Sequence, residues 1–555
     1  MTKGTRRRKP ERREPVQGKP WQPSLRLCTV LLLAVIAIVG IIRFRLRDMP
    51  LERDEGEYAY AGQLILQGIP PYRLAYNVKL PGTYAAYALI MGALGQTPAA
   101  IHLGLLLINA GTIVLMYFLA CRLFGRTAGL VAAASYGAFS TSASVFGFAA
   151  HATNFVVFFA IAGMRVLLDA LDRKRAWLFF ASGTLLGIAF LMKQPGIFFA
   201  MFAGLYLLWQ EWTQSFQLKD LLARFGLFVV GVVGPYGLTC LILWRAGVFG
   251  KFWYWTFSYA PHYGLSIGDG SHTLGFFLPR VVEPAVVLWL MAAVGFTAFW
   301  WSGKAHPYAL FCLGFFAFSV LAVLPGFSFF PHYFILLLPA ASLLVAVAVT
   351  SANSVLTGYN HSMLLGTIPV LLFLVALAIS IFEQRELLFD LNPTAVVRAT
   401  YFFAQPFSEA PKIAEYIRTH SDPTARIAIM GSEPEIYFYA QRHSATGYIY
   451  AYPLIEDKPY AESMQREMIS EIETARPEFI VIVRGNSSWV AAAPVSRKAE
   501  GSIFAWLKQY LQGRYEIVGV AETRDADYVE YRWGQDAASY QTRSPNVIWV
   551  LRRKT

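Results

Sequence analysis

RDEGEYAYAGQLILQG, residues 53–68, sets three carboxylates, Asp54, Glu55 and Glu57, directly after an apolar stretch of helical length and then continues as a helical pattern of its own. Acids at the mouth of an apolar segment mean different things beside a soluble core and at a bilayer surface, so the preceding residues decide the fold. Those residues, about 26–43, show no small-residue cleavage site before RFRLRDMPLERDE, which argues against a removed leader and for a first membrane span. Of the 555 residues, 56% are hydrophobic, more than a water-soluble core needs. Apolar windows of about 18 to 22 residues, enough to cross roughly 30 Å of hydrocarbon, recur to about position 380 and then stop.

The formal net charge of +13 is that of a polytopic protein whose Lys and Arg gather on cytoplasmic loops, and no nucleic-acid partner is expected. Residues 1–25 read as a disordered basic cytoplasmic tail. Basic connectors follow at every second turn: CRLFGRT (121–127), LDRKRA (171–176), QLKDLLAR (217–224) and WSGKAHP (301–307). RFRLR after the first span violates the rule locally, but the longer tail outweighs it. The alternation predicts spans near 99–121, 127–147, 153–169, 177–191, 196–210, 223–245, 280–301, 307–324, 333–350 and 363–382, roughly eleven with the first. The odd number puts the acidic loop, 44–98, and the C-terminal part outside. TYAAYALIMGALG, 83–95, is short for a span and reads as interfacial or partly inserted. The four cysteines, Cys28, Cys121, Cys240 and Cys312, lie in or beside apolar spans and offer neither a disulfide framework nor a thiolate metal site.

Residues 383–555 change character. ARIAIMG (425–431), EFIVIV (478–483), YEIVGVAE (515–522) and NVIWVL (546–551) read as strands, with AESMQREMISEIETA as a helix between them, a soluble extracytoplasmic α/β domain. It contains no phosphate-binding glycine motif. GSEPEIYFYAQRHSATGYIYAYP, 431–453, reads either as a half-buried strand with Tyr edges or as a carbohydrate-facing surface.

A carboxylate near the membrane can take a proton from an acceptor hydroxyl or hold a metal, provided a cation nearby manages the leaving group. The same loop supplies one: Lys79, in NVKLPGTY, at a depth where an ammonium meets lipid phosphate. The alternative is local. Asp54 would cap a solvated helix with the glutamates in its first turn, and Lys79 would snorkel.

The external DE followed by YA, the basic residue and proline ahead of TYAAYAL, and the stretches YFLACRLFGRTAGLVAAASYG, GTLLGIAFLMKQPGIFF and FFPHYFILLLPA resemble the membrane glycosyltransferases of the GT-C fold, a superfamily that includes protein O-mannosyltransferases and lipid A aminoarabinose transferases. The resemblance runs through most of residues 50–350. It implies a polytopic α-helical membrane protein of GT-C type, with about eleven transmembrane helices plus interfacial helices over 26–382 and the α/β domain over 383–555. It also implies transfer of a sugar from a polyprenyl-phosphate donor to a protein, lipid or glycan acceptor outside a bacterial inner membrane, with inversion.

By position, the resemblance makes Asp54 the catalytic base and Glu55 its adjoining acid. Lys79, Lys193, His332 and Tyr333 become the donor-phosphate contacts. The family's basic residue is usually followed by two prolines; here the order is Lys79, Leu80, Pro81. Relatives carry an acid where the third and fourth spans meet, whereas GFAAHATNF offers His151 and Asn154, so a second catalytic carboxylate is absent there. No cofactor is required, although a divalent metal on Asp54 and Glu55 is compatible with the pattern. KFWYWTFSYAPHYGLSIGDGSH, with His262, Asp269 and His272, reads as a substrate loop or mobile lid, or as an aromatic interface belt. Two other classes share these features: a lipid-linked sugar flippase or transporter, and a non-catalytic envelope receptor or assembly protein.

Overall fold

The computed structural model describes residues 22–214, 217–360, 363–401, 405–455, 460–485, 488, 497–525 and 528–554. Most of the basic tail therefore lies outside the described residues. The membrane part is built from α1 (Leu25–Arg45), α2 (Arg53–Leu66), α3 (Gly82–Leu94), α4 (Pro98–Phe124), α5 (Arg126–Ser140), α6 (Ala152–Arg173), α7 (Ala176–Met192), α8 (Ile197–Gln214) and α9 (Leu218–Arg245). It continues through α10 (Phe249–Trp253), α11 (Ile267–Val282), α12 (Val286–Trp301), α13 (Ala309–Val323), α14 (Leu338–Asn360) and α15 (Met363–Glu383).

Among the described residues, eight helical stretches are long and apolar enough to cross a membrane, against the eleven expected. Helices do occupy the other three expected positions, as α5, α7 and α8, but α5 and α7 have only 15 and 17 residues. Helix α5 stops at Ser140 instead of 147. Ser140 and Thr141 turn their hydroxyls back onto Gly137 O, and Arg43 takes the carbonyls of Ser140 and Gly147 at 2.7 and 2.8 Å. The span expected from 280 begins earlier, because α11 runs through a short 3-10 turn into α12 as one apolar stretch, Ile267–Trp301. Helix α3, with 13 residues, is short of a crossing, as its sequence indicates.

The basic connectors meet at one end of the bundle. Arg122 pairs with Asp169 and Asp172, Lys174 with Glu211, and Arg224 with Glu211 and Asp220. This ties together the ends of α4, α6, α8 and α9, as the charge alternation requires. RFRLR, at the other end, has a structural use: Arg43 caps α5 as above and Arg45 takes the carbonyls of Leu388 and Leu391 beyond α15. Helices α7 and α9 cross with their backbones in near contact. A Cβ at Gly183 or Gly187 would stand 2.1 or 2.3 Å from the Phe228 or Val232 carbonyl.

The C-terminal part adds α16 (Pro393–Tyr401), α17 (Ala410–Thr419), β1 (Arg426–Met430), α18 (Glu435–Ala440), β2 (His443–Ser444), α19 (Tyr452–Ile455), α20 (Ala461–Ala475), β3 (Phe479–Arg484), α21 (Arg497–Leu511), β4 (Tyr515–Thr523), β5 (Val529–Trp533), α22 (Gln535–Ala538) and β6 (Val547–Arg553). Its six-stranded mixed sheet has the order β2-β1-β3-β6-β4-β5, parallel across the first three strands and antiparallel across the rest. Four strands fall where the sequence predicts them; β2 and β5 do not announce themselves. Over 431–453 neither sequence reading holds. The stretch forms α18, the two-residue β2 and a buried run, with Tyr437 and Tyr450 turned inward.

What turns them inward is α2. Gly56 lies so close to the start of α18 that a Cβ there would meet Glu435 at 2.5 Å. Tyr60 stacks on Tyr437 and accepts from Ser444 N, and Leu51 N donates to the Tyr439 hydroxyl. Arg53 donates to Ser432 O and contacts the Tyr452 hydroxyl. On another face, Gly62 lets α2 lie against α3. The helix that carries the acids is therefore clasped between the membrane bundle and the α/β domain.

Candidate active site

The N-cap of α2 is Glu52, not Asp54: Glu52 accepts from Glu55 N at 2.9 Å and Glu55 accepts from Glu52 N, a reciprocal capping box. This fixes where the next three acids point. Asp54 and Glu57, three residues apart, share one face, while Glu55 turns about 100° away. Glu55 Oε1 accepts from Ala150 N at 2.6 Å and meets His102 Nε2 at 3.1 Å. Burial would raise the Glu55 carboxyl, but these partners and His151 bring it below its ordinary value. Its geometry is that of a structural anchor between α2 and the turn before α6.

Lys79 occupies the face that Asp54 and Glu57 share. Its Nζ lies 2.7 Å from Asp54 Oδ1 and 2.6 Å from Glu57 Oε2, 4.6 Å from the centre of the Tyr58 ring. Glu57 also accepts from the hydroxyls of Tyr84 and Tyr450, the latter at 2.8 Å. Burial lowers the Lys79 ammonium, but the two carboxylates outweigh it and hold it well above its ordinary value. Burial likewise works to raise Asp54, and Lys79 more than offsets that, holding Asp54 far below the usual carboxylate range. The two acids are not equivalent: Asp54 is 22% exposed and Glu57 is fully buried. Only Asp54 has an oxygen open to a reactant.

That oxygen, Oδ2, faces two imidazoles. His332 Nε2 stands 3.8 Å away and His151 Nδ1 3.9 Å away, and the two rings stack at 4.2 Å with 12° between their planes. His151 precedes α6; burial pushes it down to about 4, so it is neutral at neutral pH. Its Nδ1 has no hydrogen-bond partner, while Nε2 meets the Tyr401 hydroxyl at 3.4 Å. Single ligand atoms of Asp54, His151 and His332 all lie within 4.8 Å of one another. A carboxylate and two imidazoles form a donor set suited to a borderline divalent ion such as zinc. Glu55, expected as the second metal acid, is not in this trio.

Lys193 and Tyr333 complete the site. Lys193 ends α7 with its Nζ 3.9 Å from the centre of the Tyr333 ring, and burial holds it down to about 7. Both lysines are fixed by one seam. Gln194 donates to Val78 O, Thr83 donates to Met192 O, and Gly82 lies so near Leu191 O that a Cβ would reach 2.4 Å. The LPGT and LMKQPG stretches are thus strapped together.

Of the residues singled out in the sequence, Asp54, Lys79 and His332 converge, with Lys193 and Tyr333 beside them. The stretch 262–272 reaches this cluster through Tyr263, which feels the charges of Lys79 and Asp54 and the neighbouring Tyr333. His262 packs edge-on against Tyr460, Asp269 accepts from Ser266 at the start of α11, and His272 is exposed on the same helix. Sequence reasoning missed Glu57, read as a helix-start residue, and Tyr84 and Tyr450. The i, i+3 spacing of Asp54 and Glu57 is the signal that could have found the first.

Residues 79–236 match the family model described as dolichyl-phosphate-mannose-protein mannosyltransferase. Among solved structures, the chain is similar to ArnT from Cupriavidus metallidurans bound to undecaprenyl phosphate, with 14% identity and a TM-score of 0.56 over 95% of this chain and 98% of that one. The apo state of the same protein gives 16% identity and 0.53 over 94% and 97%. The archaeal oligosaccharyltransferase AglB from Archaeoglobus fulgidus, in complex with an inhibitory peptide and a dolichol-phosphate, gives 13% and 0.51 over 91% and 74%. A search of curated protein sequences finds no match. At these identities the shared property is the fold, which is that of GT-C membrane glycosyltransferases.

Proposed function

We propose that this GT-C-fold membrane protein transfers a sugar from a polyprenyl-phosphate donor to an acceptor hydroxyl or amine, on the side of the membrane where the α/β domain lies. The observation that carries the proposal is Lys79 held between Asp54 and Glu57 with Asp54 Oδ2 left open. A cation and an accessible base stand side by side where a lipid phosphate can reach them. The basic connectors at the opposite end of the bundle support an extracytoplasmic site, and the family resemblance supports a bacterial inner membrane. The solved relatives named with undecaprenyl phosphate and dolichol-phosphate support the donor class.

In this reading the donor phosphate lies against Lys79, Lys193 and Tyr333. The acceptor attacks the anomeric carbon, the bond from that carbon to the phosphate oxygen breaks, and its electron pair leaves with polyprenyl phosphate. The lysines stabilise the developing charge in a site with little water. With no ion bound, Asp54 Oδ2 takes the acceptor proton. A single displacement inverts the anomeric carbon. When a divalent ion is bound, Asp54, His151 and His332 would hold it, and it would supply Lewis-acid assistance at the phosphate.

The titratable cluster lies at one end of the bundle and not along its depth, which favours an interfacial enzyme over a transporter. The test is transfer by the purified full-length protein from a panel of polyprenyl-phosphate sugars, followed by mass analysis of lipid, glycan and peptide acceptors. Addition of one sugar mass with release of polyprenyl phosphate is expected. Movement of intact donor across vesicles without transfer would overturn the proposal in favour of a flippase.

A further inference from the structure

Tyr450 belongs to the α/β domain, yet its hydroxyl ends inside the lysine and carboxylate cluster. It donates to Glu57 Oε2 at 2.8 Å and lies 3.3 Å from Arg53 O. The oxygen it binds is the one that takes Lys79 Nζ at 2.6 Å, and the other oxygen of Glu57 is held by Tyr84. The Tyr450 ring also stands 5.8 Å from Nζ.

The residues just before Tyr450 grip the stretch that leads to Lys79. Tyr76 N donates to Gly447 O at 2.7 Å, and the Tyr76 ring covers Gly447 so closely that a Cβ would meet it at 2.2 Å. That ring has little freedom to yield. It stacks on Trp255, lies edge-on to Tyr448, and sends its hydroxyl to Glu471 at 2.9 Å. From Tyr76 to Lys79 is three residues, so the α/β domain holds the lysine from both directions: through the backbone at Gly447 and through Glu57 at Tyr450.

We propose that the reaction site is composite, with residues 446–451 of the α/β domain serving as the positioning element for Lys79 and Tyr450 as its positioning residue for the donor phosphate. This rests on the proposed function. The physical reason is how the charge of Glu57 is shared. Three donors divide a fully buried carboxylate, and the two phenols keep it from claiming the ammonium for itself. Without the Tyr450 hydroxyl, Glu57 Oε2 has Lys79 alone. The ammonium is drawn toward Glu57 and away from Asp54 and the phosphate. The α/β domain is then no appendage: its docking on α2 sets the strength of the phosphate clamp.

The test measures undecaprenyl phosphate binding to the full-length protein in nanodiscs, together with donor KM and kcat in the transfer assay. Tyr450→Phe is expected to weaken binding roughly tenfold and raise donor KM with a smaller change in kcat. Tyr515→Phe removes a hydroxyl from β4 of the same domain, one that donates to Pro477 O outside this segment, and should leave both unchanged. Should Tyr450→Phe lower the melting temperature, Gly447→Ala is read in its place. It presses on Tyr76 without touching the carboxylates and is expected to weaken binding in the same way. Wild-type affinity in both Tyr450→Phe and Gly447→Ala, or equal losses in Tyr450→Phe and Tyr515→Phe, overturns the positioning role. A wild-type protein that fails to bind undecaprenyl phosphate overturns instead the function on which it rests.

Discussion

Lys79 Nζ stands 2.7 Å from Asp54 Oδ1, while the other oxygen of the same carboxylate faces His332 and His151. One carboxyl group thus holds a cation with one oxygen and turns the second toward two imidazoles. Lys79→Met would leave Asp54 and Glu57 facing each other without a counter-charge in a largely buried site. Donor binding should fall and transfer drop by about 100-fold or more, with a single addition of Asp54→Asn costing little further. The check is a double-mutant comparison of kcat/KM, in which independent, multiplying effects would contradict the pairing.

His151 and His332 give a separate prediction. After incubation with zinc and desalting, the wild-type protein should keep about one ion per chain. His151→Phe and His332→Phe should each keep far less. Elemental analysis decides the matter without any activity measurement, and equal retention by all three proteins would remove the trio as a metal site.

Burial holds Lys193 down to about 7, so it loses its charge as the pH rises through neutrality. A bound phosphate favours the charged form, and affinity for undecaprenyl phosphate should therefore weaken from about pH 6.5 to 8.5. Ionisation of the phosphate itself acts in the opposite direction. In Lys193→Met only that second effect remains, so its affinity should not fall over the same range. Parallel profiles for the two proteins would contradict the assignment.

Gly187 lies where a Cβ would meet the Val232 carbonyl at 2.3 Å. Gly187→Leu should force α7 and α9 apart at a cost on the order of 1–3 kcal/mol, seen as a lower melting temperature in detergent. The same substitution at Gly234, which has nothing within 4 Å, should be tolerated.

Much of this arrangement is written locally. Charge alternation at the connectors is a property of short segments, and Arg122, Lys174 and Arg224 do meet acids at one end. The helix over 461–475 and the strands β1, β3, β4 and β6 carry their own periodicity, so they fall where the pattern puts them. Asp54 and Lys79 are readable because one loop supplies both. What escaped is tertiary. Tyr450 is 393 residues from Glu57, and no local pattern shows that it leaves its own domain. His151 stands out only as the absence of an acid, and its stacking on His332 depends on how two distant turns fold together.

The Tyr-rich stretch 431–453 illustrates the same limit. Its alternation suits a strand edge or a sugar-binding face equally well, and it is buried because α2 carries Gly56 where α18 must approach. The sequence pairs Asp54 with its neighbour Glu55, whereas the structure pairs it with Glu57, for a simpler reason. Helical rotation separates Asp54 from its neighbour Glu55 and aligns it with Glu57.

The most direct test of the central claim is Asp54→Asn in the purified full-length protein, measured with a polyprenyl-phosphate sugar that the wild type uses. The variant should keep its melting temperature while kcat at saturating donor falls by about 10²- to 10⁴-fold, the loss of a general base. Transfer at the wild-type rate by a folded Asp54→Asn protein would contradict the account.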